Sequence, residues 1–271
     1  MSCKNCTSDI TIDSVFCNQC GAKVVNDRIT IKGILVNFTS NIFGWDNTFF
    51  LTFRKLIKAP QEILSEFLNG TRKKYMNPFT FLGIGSAIAL FAFNFFTNDY
   101  LALQVDSNKQ SIELMGDMFA NQLGDDFDAT SFKKEQLEQI TNTSAFTLKY
   151  FNLFVLILIP LYTFMAKLVY GKPYNYAEHL VINSYIQGIT FWVTTIMFII
   201  SIYTFSSIYF LTVVLSILFY SYVYGKLYKL TFGQSVLKII IFLGILMGVI
   251  IALFIVAVII GIVIAFISSK F

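Results

Sequence analysis

The chain has 271 residues, of which 56% are hydrophobic and only 13% charged, whereas a soluble domain is just under half apolar and about a quarter charged. With a mean hydropathy of +0.66, this composition excludes an ordinary soluble domain and points to lipid as the main solvent. A formal net charge of +4 is too modest to signal a nucleic-acid partner, and none is expected.

The apolar residues gather in uninterrupted runs after residue 79, while the first 78 residues read like a normal polar chain. That asymmetry predicts a soluble arm joined to a membrane domain. The opening Met-Ser-Cys-Lys-Asn-Cys lacks the basic start, apolar core and small-residue site of a secretory signal, so no cleavable targeting segment is expected.

All four cysteines lie in the first twenty residues, as Cys3, Cys6, Cys17 and Cys20, in the pattern C-x2-C-x10-C-x2-C. Two residues between paired thiolates let both sulfurs of a tight turn point at one ion, and two such turns complete the tetrahedral shell of structural zinc. Gly21 follows at once and suits a position of positive φ. The alternatives are two disulfides, a redox pair or coincidence, and disulfides would need an oxidising compartment. Four protein ligands leave no open position for hydrolytic chemistry. A ribbon spanning 1–24 is too small to bury a core, depends on its ion for folding, and is expected to dock a partner.

An arm over 25–78 follows. Residues 29–36 are too short and ambiguous to assign. From Trp45 to Asn69, Phe49, Phe50, Phe53, Leu56, Ile57, Ile63, Leu64, Phe67 and Leu68 recur at helical spacing, with Arg54, Lys55 and Lys58 interspersed. Pro60 predicts a division into two short helices. An aromatic face with basic flanks suits an anionic leaflet, and periodicity alone fits packing on the membrane bundle equally well. Arg72, Lys73, Lys74 and Tyr75 then stand directly before the first apolar run. This cluster is first a topology signal and second a candidate lipid-headgroup site.

About twenty apolar residues cross the hydrocarbon core as a helix, which gives five spans in 79–271: 79–96, 151–170, 179–201, 204–224 and 236–267. The last run is too long for one upright crossing and too short for two, so it reads as one tilted or protruding helix. The predicted fold class is therefore all-α, a polytopic helical membrane bundle carrying a small four-cysteine zinc ribbon. Arg54, Lys55, Lys58, Arg72, Lys73 and Lys74 precede span one, Lys167 and Lys172 separate spans two and three, and Lys226, Lys229 and Lys238 separate four and five. Basic residues stay inside, so the N-terminus is expected in the cytoplasm and the C-terminus outside. The acidic loop 97–150 would be external, and its apolar spacings at Leu114, Met118, Phe119 and Leu123 fit a helical cap.

The lone histidine, His179, opens span three beside Glu178, and four-residue steps carry it to Asn183 and Gln187 in one polar stripe. Such a stripe is a candidate functional surface or interhelical glue. Neighbours on a helix diverge by about 100°, so Glu178 and His179 need not meet. Tyr220, Tyr222, Tyr224 and Tyr228 read as an interfacial aromatic belt. Gly244 and Gly248, then Ala257, Gly261 and Ala265, repeat small residues every four and allow close helix approach within a protomer or in a homo-oligomer.

The order of these features matters: Cys3, Cys6 and Phe16-Cys17-Asn-Gln-Cys20-Gly21; Thr52 to Pro60; Gly70-Thr-Arg-Lys-Lys-Tyr-Met-Asn-Pro78; and Tyr176-Ala-Glu-His179. Together they resemble the bacterial membrane proteins grouped as domain of unknown function 3667. The resemblance implies a bacterial inner-membrane location and a zinc ribbon and supplies no activity. Where that pattern has Gly-Lys-Arg this chain has Gly70-Thr71-Arg72, so no role transfers to the missing lysine.

No nucleophile motif, phosphate loop or paired intramembrane carboxylates equip an enzyme. Two expectations follow: a non-enzymatic adaptor or scaffold, docking a protein partner through its cytoplasmic arm while its spans meet the bilayer, or a small transporter or lipid-handling protein using the polar stripe of the third span.

Overall fold

The computed structural model of the chain describes residues 2–3, 5–11, 14–22, 24, 48–124 and 127–268. Readings that concern residues 29–36, Trp45, Asp125 and Asp126, and the side chains of Ala257, Gly261 and Ala265, fall outside the described part. The chain divides into two units, Met1–Asp46 and Asn47–Phe271. Among the described residues of the first unit there is no helix, and an antiparallel bridge joins Ser2 to Asp9.

The second unit is helical: α1 Thr48–Lys58, α2 Pro60–Leu68, α3 Pro78–Phe95, α4 Thr97–Leu123, α5 Ala129–Lys149, α6 Phe151–Tyr170, α7 Tyr176–Tyr203, a 3-10 turn Ser206–Phe210, α8 Leu211–Leu227 and α9 Phe232–Ser268. Among the described residues, five stretches are long and apolar enough to cross a membrane: Pro78–Phe95, Phe151–Tyr170, Tyr176–Tyr203, Ser206–Leu227 and Phe232–Ala252. The last belongs to one continuous helix of 37 residues, about 55 Å long at 1.5 Å per residue and so well beyond the hydrocarbon thickness.

Pro60 takes the first position of α2, where its missing N–H costs nothing, and Lys55 pairs with Glu62 across the break. Leu56, Ile63 and Leu64 are fully buried in a core shared with α7 and α8. This face is bundle core, whereas Phe50 and Ile57 point outward.

Central to the bundle is α7, which packs on α3, α6 and α8. Its approach to α3 is set by two glycines. A methyl group built on Gly85 would sit 2.9 Å from the Gly188 carbonyl oxygen, and one on Gly188 would sit 2.5 Å from the Phe81 ring. Nothing of the kind holds for Gly244 and Gly248 on α9, where a methyl group meets nothing within 4 Å. Farther along the bundle, Phe93 and Phe198 meet edge to face at 5.0 Å in a second core with Leu82, Leu103, Leu148 and Phe191.

The 97–150 segment is a helical hairpin. Lys133 Nζ donates to Asp117 at 2.7 Å, and Phe119, Phe127 and Phe132 cluster near its tip with centroids 5.5 to 5.8 Å apart. Asp128 caps α5 by accepting from the Thr130 and Ser131 amides, both at 3.0 Å. The hydroxyl of Ser206 donates to Asp106, tying the hairpin to the turn between α7 and α8.

Candidate functional site

In the first unit the cysteines sit on two turns of the same construction. After Cys3 and Cys6, Thr7 has φ +61°; after Cys17 and Cys20, Gly21 has φ +70°. The N–H of Thr7 donates to the Cys3 carbonyl and that of Gly21 to the Cys17 carbonyl, both at 2.8 Å. The Cys3 amide then donates to Ser8 at 2.9 Å and the Cys17 amide to Ala22 at 2.8 Å. The sequence indicates positive φ at Gly21; at Thr7 the same turn forces a β-branched residue into the left-handed region.

The four sulfurs lie within 4.8 Å of one another, with Cys3–Cys20 and Cys6–Cys17 Sγ separations of 3.7 Å. A disulfide needs about 2.05 Å, and all four cysteines are free thiols. Metal–sulfur bonds of about 2.3 Å in a tetrahedron require sulfur–sulfur edges of about 3.8 Å, so the donor set fits a metal ion. Ser8 Oγ lies 3.3 Å from Cys17 Sγ and 3.0 Å from Cys6 Sγ, and Asn5 Nδ2 donates to Cys20 Sγ at 3.5 Å. The Ser8 hydroxyl, then the backbone amide of Cys20, pull the Cys17 thiol down to about 6. The Asn5 amide lowers Cys20 in the same sense. Both favour the thiolate, the form that ligates metal.

In the second unit the predicted polar stripe divides. His179 is fully buried. Its Nδ1 meets the Tyr224 hydroxyl at 3.1 Å, and its Nε2 lies 3.3 Å from both the Gly171 carbonyl and the Tyr228 hydroxyl. Tyr170 stacks on Tyr224 at 4.1 Å, and the Lys238 ammonium, which donates to the Val169 carbonyl, lies 5.8 Å from the Tyr170 centroid. Of the tyrosines read from sequence as an interfacial belt, Tyr224 and Tyr228 therefore flank a buried histidine, with Tyr224 wholly enclosed, whereas Tyr222 donates to the Lys58 carbonyl at 3.1 Å. A buried imidazole needs partners on both nitrogens, and the hydroxyls of Tyr224 and Tyr228 supply them.

Asn183 is 5% exposed, donates to Thr163 Oγ1 at 3.4 Å, and with Gln187 lines a cavity of about 380 Å³ between α6, α7, α8 and α9. His179 does not line that cavity. Glu178 belongs to neither place. Its carboxylate accepts from the Asn175 amide at 2.7 Å while Asn175 Oδ1 accepts from the Glu178 amide at 3.0 Å, a capping box that starts α7. The signal Asn175-x-x-Glu178 was available in the sequence.

The basic cluster also divides. Tyr75 is 3% exposed, and its hydroxyl donates to Glu66 at 2.7 Å, so its ring packs within the helical unit. Lys74 donates to the same carboxylate at 2.6 Å. Together Lys74 and then Tyr75 hold the Glu66 carboxyl below its usual range, while burial and Glu66 push the Tyr75 phenol up. Arg72 and Lys73 are exposed. Arg72 lines a groove with Asn77 and Glu178. Next to them, Met76 is latched on both sides: its N–H donates to Thr52 Oγ1 at 2.9 Å, and its carbonyl accepts from the Tyr185 hydroxyl at 2.6 Å. That latch joins arm and bundle across 109 residues of sequence, and no local periodicity announces it.

A family described as protein of unknown function (DUF3667) matches residues 46–90, the stretch from the start of α1 through the Met76 latch into α3. The match includes Thr52, Glu66, Lys74, Tyr75, Met76 and Gly85 and leaves the cysteines outside it. No curated protein and no solved structure matches the chain.

Proposed function

We propose that the protein is a non-enzymatic adaptor of a bacterial cytoplasmic membrane, in which a zinc-filled cysteine knuckle on the cytoplasmic side recruits a protein partner to the helical bundle. The observation that carries this reading is the knuckle itself. Four thiolates close the ion's coordination shell and leave no position for substrate, while Val15 and Phe16, beside Cys17, are 62% and 50% exposed. On so small a unit, exposed apolar side chains next to a rigid metal turn are contact groups. The sidedness rests on the lysines and arginines flanking the spans.

A photoreactive residue in place of Val15, activated in intact cells, tests the reading. The expected result is a discrete crosslinked adduct on the wild-type background that disappears with Cys17→Ser while the membrane level of the protein holds. Crosslinking that is absent, or indifferent to Cys17→Ser, contradicts it.

A second reading, a small transporter or lipid-handling protein, is supported by one observation: Asn183 and Gln187 border a half-open cavity between the apolar helices.

A further inference from the structure

The cavity between α6, α7, α8 and α9 has a wall chemistry that selects its occupant. At about 380 Å³ it falls within the ordinary size of small-molecule sites. No charged side chain lines it. Ile239, Phe242, Leu243 and Leu246 make the α9 wall wholly apolar, and the polar groups come from α7, α8 and, through Tyr162, α6.

Two of those polar groups are buried without a partner. Thr212 is 8% exposed, and neither its Oγ1 nor the Tyr220 hydroxyl has a hydrogen-bond partner of good geometry, although the Tyr224 hydroxyl neighbours that of Tyr220. Other hydroxyls of the same wall are satisfied within their own helices: Thr190 donates to the Ile186 carbonyl at 3.1 Å and Ser216 to the Thr212 carbonyl at 2.6 Å. Thr212 lacks that recourse because it is the second residue of α8 and follows a 3-10 turn. Tyr220 stacks near Tyr224 at 4.7 Å, whose hydroxyl is engaged by His179. A buried hydroxyl left unpaired is costly, so both positions call for acceptors from an occupant. They lie eight residues apart on α8, roughly 12 Å, which suits an extended molecule with several oxygens better than a compact solute.

We propose that this cavity binds an uncharged glyceryl ester lipid, its ester and hydroxyl oxygens taken by Tyr220, Asn183, Gln187 and Thr212 and its chain lying along α9. The proposal rests on the second reading above and deepens it by naming the ligand class. Charged headgroups are disfavoured because no counter-charge lines the wall, and pure hydrocarbon leaves the two hydroxyls unpaired.

The test uses the full chain in nanodiscs with a diazirine-bearing monoacylglycerol, its matched fatty acid and its matched alkane, read by peptide mass spectrometry. Monoacylglycerol is expected to label the segments around Asn183–Thr190 and Thr212–Tyr220 at least tenfold more than either analogue. Thr212→Val and Tyr220→Phe, both close in shape to the native residues, should each weaken labelling about two- to tenfold. Ser216→Trp should abolish it by filling the space, with the unfolding transition of each variant reporting an intact fold. Equal labelling by the alkane, or wild-type labelling in the Thr212→Val, Tyr220→Phe double variant, overturns the proposal. Preferential labelling by the fatty acid overturns the neutral class while leaving the lipid-handling reading intact. No cavity labelling by any of the three removes both.

Discussion

Replacing Gly85 with alanine probes how closely the first and third spans approach. The added methyl would lie 2.9 Å from the Gly188 carbonyl oxygen, where ordinary contact begins at 3.4 Å. The obstacle is backbone in a helix, so α3 and α7 must part by about half an ångström. A gap of that size forfeits roughly a quarter of the dispersion well at each atom pair along the seam, and overpacking of this kind costs about 1–3 kcal/mol. Gly83 supplies the control: it lies on the same helix, two residues away, and a methyl there meets nothing within 4 Å. In a detergent-solubilised unfolding titration, Gly85→Ala is expected to lose about 1–3 kcal/mol and Gly83→Ala to remain near wild type. Equal behaviour of the two variants would refute the claim that this seam is set by the two glycines.

Other consequences concern the latch, the histidine, the acidic pair and the strained turn. Tyr185→Phe leaves the Met76 carbonyl without its donor and should cost about 1–2 kcal/mol in the same titration, with faster hydrogen exchange over residues 70–77. His179→Ala strips the Tyr224 hydroxyl of its partner and opens a hole beside Tyr224 and Tyr228. Membrane abundance should fall together with thermal stability, and a stable, abundant His179→Ala protein would contradict a structural role. Because Lys74 and Tyr75 lower the Glu66 carboxyl, its contribution is complete above the ordinary carboxylate range of about 4 and is lost as pH falls through the lowered value. Hydrogen exchange of the 70–77 segment should rise in that acid window, and Glu66→Gln should raise it at neutral pH. Thr7→Gly relieves a left-handed β-branched residue worth about 1–3 kcal/mol, so it should tighten zinc retention against a chelator.

What could be read in the sequence follows from the range of the interaction. Hydropathy and Pro60 are local, and α6 occupies Phe151–Tyr170, the stretch where the apolar run begins and ends. The cysteine spacing is local too, and the sulfurs do converge. The stripe of His179, Asn183 and Gln187 follows from helical periodicity, but periodicity says nothing of what stands opposite. Tyr224 reaches His179 from another helix, and Thr163 reaches Asn183, so one stripe serves two environments. Tyr185 and Met76, Gly85 and Gly188, and the unpaired Thr212 owe their roles to packing between distant segments. The capping box at Asn175 and Glu178 differs, since its spacing was legible.

Metal content of the purified full-length protein, combined with X-ray absorption at the zinc edge, tests the knuckle at the centre of the proposed function most directly. The account predicts one zinc ion per chain in an all-sulfur shell at about 2.3 Å, lost on Cys17→Ser. A wild-type protein that carries no zinc yet keeps its four thiols converged, or one whose shell includes oxygen from solvent, would contradict it.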